Sequence, residues 1–66
     1  MYINIKIKFL ENKITVDEAA ARLGLHRNTL ANKINGKAKF YIDEIEQLQQ
    51  LYFPDCSIEY LCQRSA

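Results

Sequence analysis

The stretch TVDEAAARLGLHRNTLANKING, Thr15 to Gly36, decides how this 66-residue chain folds. Thr15-Val16-Asp17-Glu18 has the form of a capping box. In that arrangement the Thr hydroxyl accepts from the amide three residues on, and Glu18 reaches back to the Thr15 amide. Asp17 and Glu18 also suit the positive end of a helix dipole. Ala19-Ala20-Ala21-Arg22-Leu23 are good helix formers, and Gly24 fits a left-handed stop. A short helix is therefore expected over about Val16–Leu23. A second follows at once, with His26 at its N-cap, over Arg27-Asn28-Thr29-Leu30-Ala31-Asn32-Lys33-Ile34. Leu30 and Ile34 share one face of it, with Ala31 beside them, while Asn28, Thr29, Asn32 and Lys33 are read as falling away from that stripe. Asn35-Gly36 ends it. Helices this short are not stable alone, so their apolar faces must share a core with other elements.

Outward to the C-terminus, Ile42, Ile45, Leu48 and Leu51 recur every third residue with Gln and Glu between them, and Asp43 and Glu44 lie in the first turn. An amphipathic helix is expected there. Tyr52-Phe53-Pro54-Asp55 breaks it, and Asp55 or Ser57 can cap a last short helix carrying Ile58, Leu61 and Cys62. Outward to the N-terminus the pattern is double. Ile3, Ile5, Ile7 and Phe9 alternate as in a strand, whereas Tyr2, Ile5 and Phe9 fit a helical stripe. A lone strand has no partner elsewhere in the chain, so Tyr2–Glu11 is expected to be a helix. The strand alternative would require pairing between subunits. Leu23, Leu25, Leu30, Ile34, Ile45 and Leu48 are the expected core.

Composition narrows the function. The length suits one domain, residues 1–66, and a chain this short buries only about 60% of its unfolded surface. No apolar run approaches the roughly 20 residues of a membrane span, and the N-terminal segment lacks the continuous apolar core of a signal peptide. The expected location is the cytoplasm, with no membrane partner. Cys56, Cys62 and the single His26 lack zinc-ligand spacing; two reduced thiols in or near the core are expected, a disulfide being the alternative. No Cys–His pair, Gly-rich phosphate loop or metal set is visible, so no enzyme, catalytic residue, cofactor or small-molecule substrate is expected.

The net charge is only +1, but it is polarised. Residues 1–39 carry eight Lys and Arg against three carboxylates, and residues 40–66 carry Arg64 against five. Between Glu18 and Asp43 stand five cations and no anion. One face can therefore meet a polyanion despite a near-neutral total.

Two short helices joined by a tight Gly turn form a helix-turn-helix, in which the second helix enters the major groove and presents its N-terminal residues to base edges. From Ile14-Thr15-Val16-Asp17-Glu18-Ala19-Ala20-Ala21-Arg22-Leu23-Gly24-Leu25 through His26-Arg27-Asn28-Thr29-Leu30-Ala31-Asn32-Lys33-Ile34-Asn35-Gly36-Lys37, the chain resembles the lambda-repressor-like (Xre/Cro) helix-turn-helix family of bacteria and their phages. The likeness extends over about residues 14–62. It implies an all-α bundle of about five short helices. It also implies that Arg27 and Asn28 begin the recognition helix, with Asn32 one turn further along the same face. Arg suits the O6 and N7 of guanine, and Asn the N6 and N7 of adenine. Thr29, Asn35 and Lys37 match positions that meet phosphate; Lys33 and Lys39 are added on charge alone. The expected activity is sequence-specific binding of double-stranded DNA by a homodimeric transcriptional regulator of phage or mobile-element type. Tyr52, Phe53, Tyr60 and Leu61 are assigned either to the dimer contact or to closing the core. The alternative is a protein-interaction module, such as an anti-repressor or regulator subunit, using the acidic C-terminal half.

Overall fold

A computed structural model describes residues 1–65. Five helices follow one another: α1 (Ile3–Glu11), α2 (Val16–Leu23), α3 (Arg27–Ile34), α4 (Ile42–Tyr52) and α5 (Ile58–Cys62). There is no strand among the described residues. At the N-terminus the helical stripe prevails over the alternation. Tyr2, Ile5 and Phe9 are buried, while Ile7, which the strand reading would place beside them, is exposed.

Local chemistry starts and stops the helices. Thr15 Oγ1 accepts from the Glu18 amide at 3.1 Å, and Ser57 Oγ accepts from the Tyr60 amide at 3.0 Å. Only that half of the Thr15 box forms. Glu18 turns away from the Thr15 amide and accepts from the Tyr52 hydroxyl at 3.1 Å, which ties the start of α2 to the end of α4. Gly24 ends α2 with φ of +71°, and Gly36 follows α3 with φ of +83°. Lys13 takes φ of +56° just after α1, a left-handed position filled by a residue with a Cβ.

One core joins the helices. Ile5, Leu30, Ile45, Leu48 and Leu61 are its largest fully buried side chains, one or two from each of α1, α3, α4 and α5. The small Ala19 and Ala20 are buried on α2. Leu23 and Leu25 pack against this core only partly buried. Phe53 and Leu61 are buried in the core, while Tyr52 and Tyr60 pack against it half-buried. The α4 stripe behaves differently from its sequence reading. Ile45 and Leu48 are buried but Ile42 and Leu51 are exposed. Nine residues amount to about two and a half helical turns, so the two ends of an every-third-residue row lie on opposite sides. Cys56 and Cys62 are free and half-buried.

The chain ends are stitched to α3. The Tyr2 amide donates to the Ile34 carbonyl at 2.8 Å, and the Ser65 amide donates to the Met1 carbonyl at 3.0 Å. Asn4 Nδ2 donates to the Tyr60 carbonyl at 2.9 Å and to Gln63 Oε1 at 2.9 Å. No helix among the described residues is long and apolar enough to cross a membrane.

Candidate nucleic-acid interface

α3 carries the expected site, and its inner side is fixed by three residues. Leu30 and Ile34 are buried. The third is Lys33, which departs from the sequence reading. Its side chain is buried, with Nζ donating to the Lys39 carbonyl at 3.0 Å and to Glu44 Oε1 at 3.0 Å. The ammonium also lies 5.1 Å from the centroid of the Tyr41 ring. Helical geometry explains the correction: three residues past Leu30 is about 60° from it around the helix axis, so Lys33 flanks the apolar stripe. Glu44 Oε1 also accepts from the Tyr41 amide at 2.9 Å. One carboxylate thus ties the start of α4 to α3. Lys39, the other cation added on charge alone, is exposed and stands 5.3 Å from the same Tyr41 ring centroid.

The outer side of α3 is polar and open. Asn28 and Asn32 are exposed, one turn apart. Thr29 is half-buried on the Lys33 side. His26 makes no side-chain cap bond, and the first turn of α3 holds no carboxylate. The first-turn amides are therefore left without a side-chain acceptor. Asn35 and Lys37 are exposed around the Gly36 turn. That turn is tightened by the Lys37 amide donating to the Asn32 carbonyl at 2.8 Å.

Arg27 is exposed and paired. Its Nε lies 3.0 Å from Asp17 Oδ1, with both side chains about two-thirds exposed. An ion pair in that setting contributes about 0–1 kcal/mol, so a ligand displaces it at little cost. The contact uses Nε and leaves the two terminal amino groups of the guanidinium for a bidentate partner. In the sequence Asp17 signals only dipole complementarity at the start of α2; the partnership across α2 and α3 has no short-range signal. Arg22, on the exposed side of α2, lies with its guanidinium 5.5 Å from the Tyr52 ring centroid.

Among the described residues, no group of three or more His, Cys, Asp or Glu side chains is placed to hold a metal ion. An apolar groove lies between α1 and the α2–α3 pair, lined by Phe9, Leu10, Ile14, Val16, Ala31 and Ile34, with Leu10 well exposed. Comparison of the chain with family models, curated proteins and solved structures returns no match.

Proposed function

We propose that α2 and α3 form a helix-turn-helix that binds double-stranded DNA in a sequence-specific manner, as a transcriptional regulator of phage or mobile-element type. The observation that carries this reading is the outer side of α3. Asn28 and Asn32 are exposed there, with Arg27 at its first turn, on a helix whose inner side is held by Leu30, Lys33 and Ile34. Such a helix offers adenine-reading and guanine-reading groups from a rigid base. Support also comes from Arg22, Lys37 and Lys39, cations of the Glu18–Asp43 stretch with no carboxylate partner among the described residues, and from first-turn amides suited to a phosphate. In this reading Arg27, Asn28 and Asn32 meet base edges, while Thr29, Asn35 and Lys37 meet the backbone. Lys33 is a scaffold residue.

A homodimer on a two-fold operator belongs to the proposal, since one such unit reads a half-site. Its contact lies outside Phe53 and Leu61, which are buried in the core, while half-buried Tyr52 and Tyr60 keep an exposed edge for it. A second reading, a protein-interaction module, is favoured by one observation. The acidic α4 region leaves Tyr41, Ile42 and Leu51 exposed.

Selection from random duplexes at moderate salt separates the two. DNA binding predicts an enriched site. On that site, Arg27→Ala or Asn28→Ala costs about 1–3 kcal/mol and relaxes preference at one base, while Lys37→Ala weakens all sequences alike and lowers the salt slope by about 1. Absence of any preference over random duplex refutes the regulator reading. A mass measurement of the free protein and of the complex tests the dimer.

A further inference from the structure

Arg64 stands apart from its sequence neighbours in charge and in position. The only cation among residues 40–66, it belongs by sequence to the acidic half. The fold removes it from there. The bonds from Ser65 to Met1 and from Tyr2 to Ile34 lay the two chain ends against the C-terminal end of α3. There the Arg64 guanidinium lies over buried Tyr2, 5.3 Å from its ring centroid. Its Nη2 lies 3.7 Å from the point where a Cβ on Gly36 would stand. Arg64 has no hydrogen-bonded or carboxylate partner among the described residues. A guanidinium that sits over an aromatic ring without a carboxylate or hydrogen-bonded partner keeps its N–H groups available to a further ligand.

We propose that Arg64 is a phosphate-binding residue that joins Asn35 and Lys37 at the C-terminal end of α3, so that the chain ends close one side of the nucleic-acid surface. This rests on the DNA reading above and extends it to a residue outside the α2–α3 pair. Length supports the placement. Eight helical residues span about 12 Å, close to the roughly 12 Å width of the major groove. With Arg27 and Asn28 at base edges, the Gly36 turn reaches a groove wall, where phosphates stand. Arg64 Nη2 thus lies within ordinary contact distance of the Gly36 turn, and an Arg edge suits a phosphate.

The test is the salt dependence of binding to a selected duplex and to a random one, for the wild type, Arg64→Gln, Arg64→Lys and Lys8→Gln. Lys8 is the control for net charge, because it pairs with Glu11 and lines a separate depression with Cys56 and Tyr60. Loss of one phosphate contact lowers the slope of log K against log salt by about 0.9. Between 50 and 200 mM salt that is about a three- to fourfold smaller change in affinity. Arg64→Gln is expected to show this loss on both duplexes without altering base preference, Arg64→Lys to retain most of the slope, and Lys8→Gln to leave it unchanged. An unchanged slope in Arg64→Gln, or an equal fall in Lys8→Gln, overturns the assignment of Arg64 while leaving the DNA reading intact. A wild-type protein that binds neither duplex overturns both.

Discussion

Replacing Lys33 with Met separates a scaffold lysine from a ligand-binding one. The Lys33 ammonium makes two bonds of 3.0 Å, to the Lys39 carbonyl and the Glu44 carboxylate. The two charged side chains are 10% and 19% exposed. Hydrogen bonds to charged groups contribute about 1.5–3 kcal/mol each. Met removes both bonds but fills a similar volume and ends the desolvation of the ammonium. Glu44 keeps the Tyr41 amide and regains water through its exposed edge. The expected net loss is about 2–3 kcal/mol, below the 3–5 kcal/mol typical of breaking a fully buried pair. A chain of this length has a total stability of roughly 3–10 kcal/mol at about 0.05–0.15 kcal/mol per residue, so the loss is large. Glu44→Gln should cost about 2 kcal/mol, since it leaves the ammonium with neutral acceptors. The double variant should lose clearly less than the two single losses combined, because without the ammonium Glu44→Gln leaves no charge unpaired. Urea unfolding at low temperature measures all four proteins. The salt slope of duplex binding, measured on variants that remain folded, should match that of wild type. The reasoning is refuted if Lys33→Met costs less than about 0.5 kcal/mol, if the two single losses add in the double variant, or if Lys33→Met lowers the salt slope by about 0.9 at unchanged stability.

Two further predictions concern the backbone and pH. Gly24→Ala should cost about 1 kcal/mol, from the φ of +71° alone, since nothing stands within 4 Å of the added Cβ. Lys13→Gly should gain up to about 1 kcal/mol at its φ of +56°; chemical denaturation of both variants would show opposite shifts in midpoint, and shifts of the same sign would contradict the strain assignment. Burial pushes the Tyr52 hydroxyl above its usual value of 10.0, aided by its bond to Glu18. Burial likewise pushes the Cys62 thiol above 9.0, aided by the charge of Glu59. Both groups hold their protons more tightly when folded. Their contribution is therefore complete below about pH 9 and is lost as pH rises through the folded values. Melting temperature should fall from about pH 9 upward, less steeply in Tyr52→Phe; a flat or rising profile there is incompatible with these shifts.

Much of the fold is legible in the sequence because it rests on interactions within one turn of chain. The Thr15 hydroxyl reaches an amide three residues away, Gly24 and Gly36 take left-handed backbone, and the Leu30–Ile34 pair faces inward at a four-residue spacing. Even the ambiguous N-terminus follows from a local rule, since Tyr2, Ile5 and Phe9 form a helical stripe and no strand offers a partner. Of the candidate site, Arg27, Asn28, Asn32, Asn35 and Lys37 are exposed. Lys33 was also legible in principle, since its helical angle places it beside Leu30 rather than opposite. What only the tertiary structure decided involves partners distant along the chain: Arg27 with Asp17, Lys33 with Glu44, Tyr52 with Glu18, and Arg64 with Tyr2 and Gly36. The physical reason is range. Caps, turns and periodicity act over three or four residues and are written into the order of side chains, whereas the neighbours of a charge across the core depend on how whole helices pack. The Thr15–Gly36 stretch sets two helices and the turn between them; the packing of α4 against them takes Lys33 into the scaffold and leaves Arg27 to a displaceable surface pair.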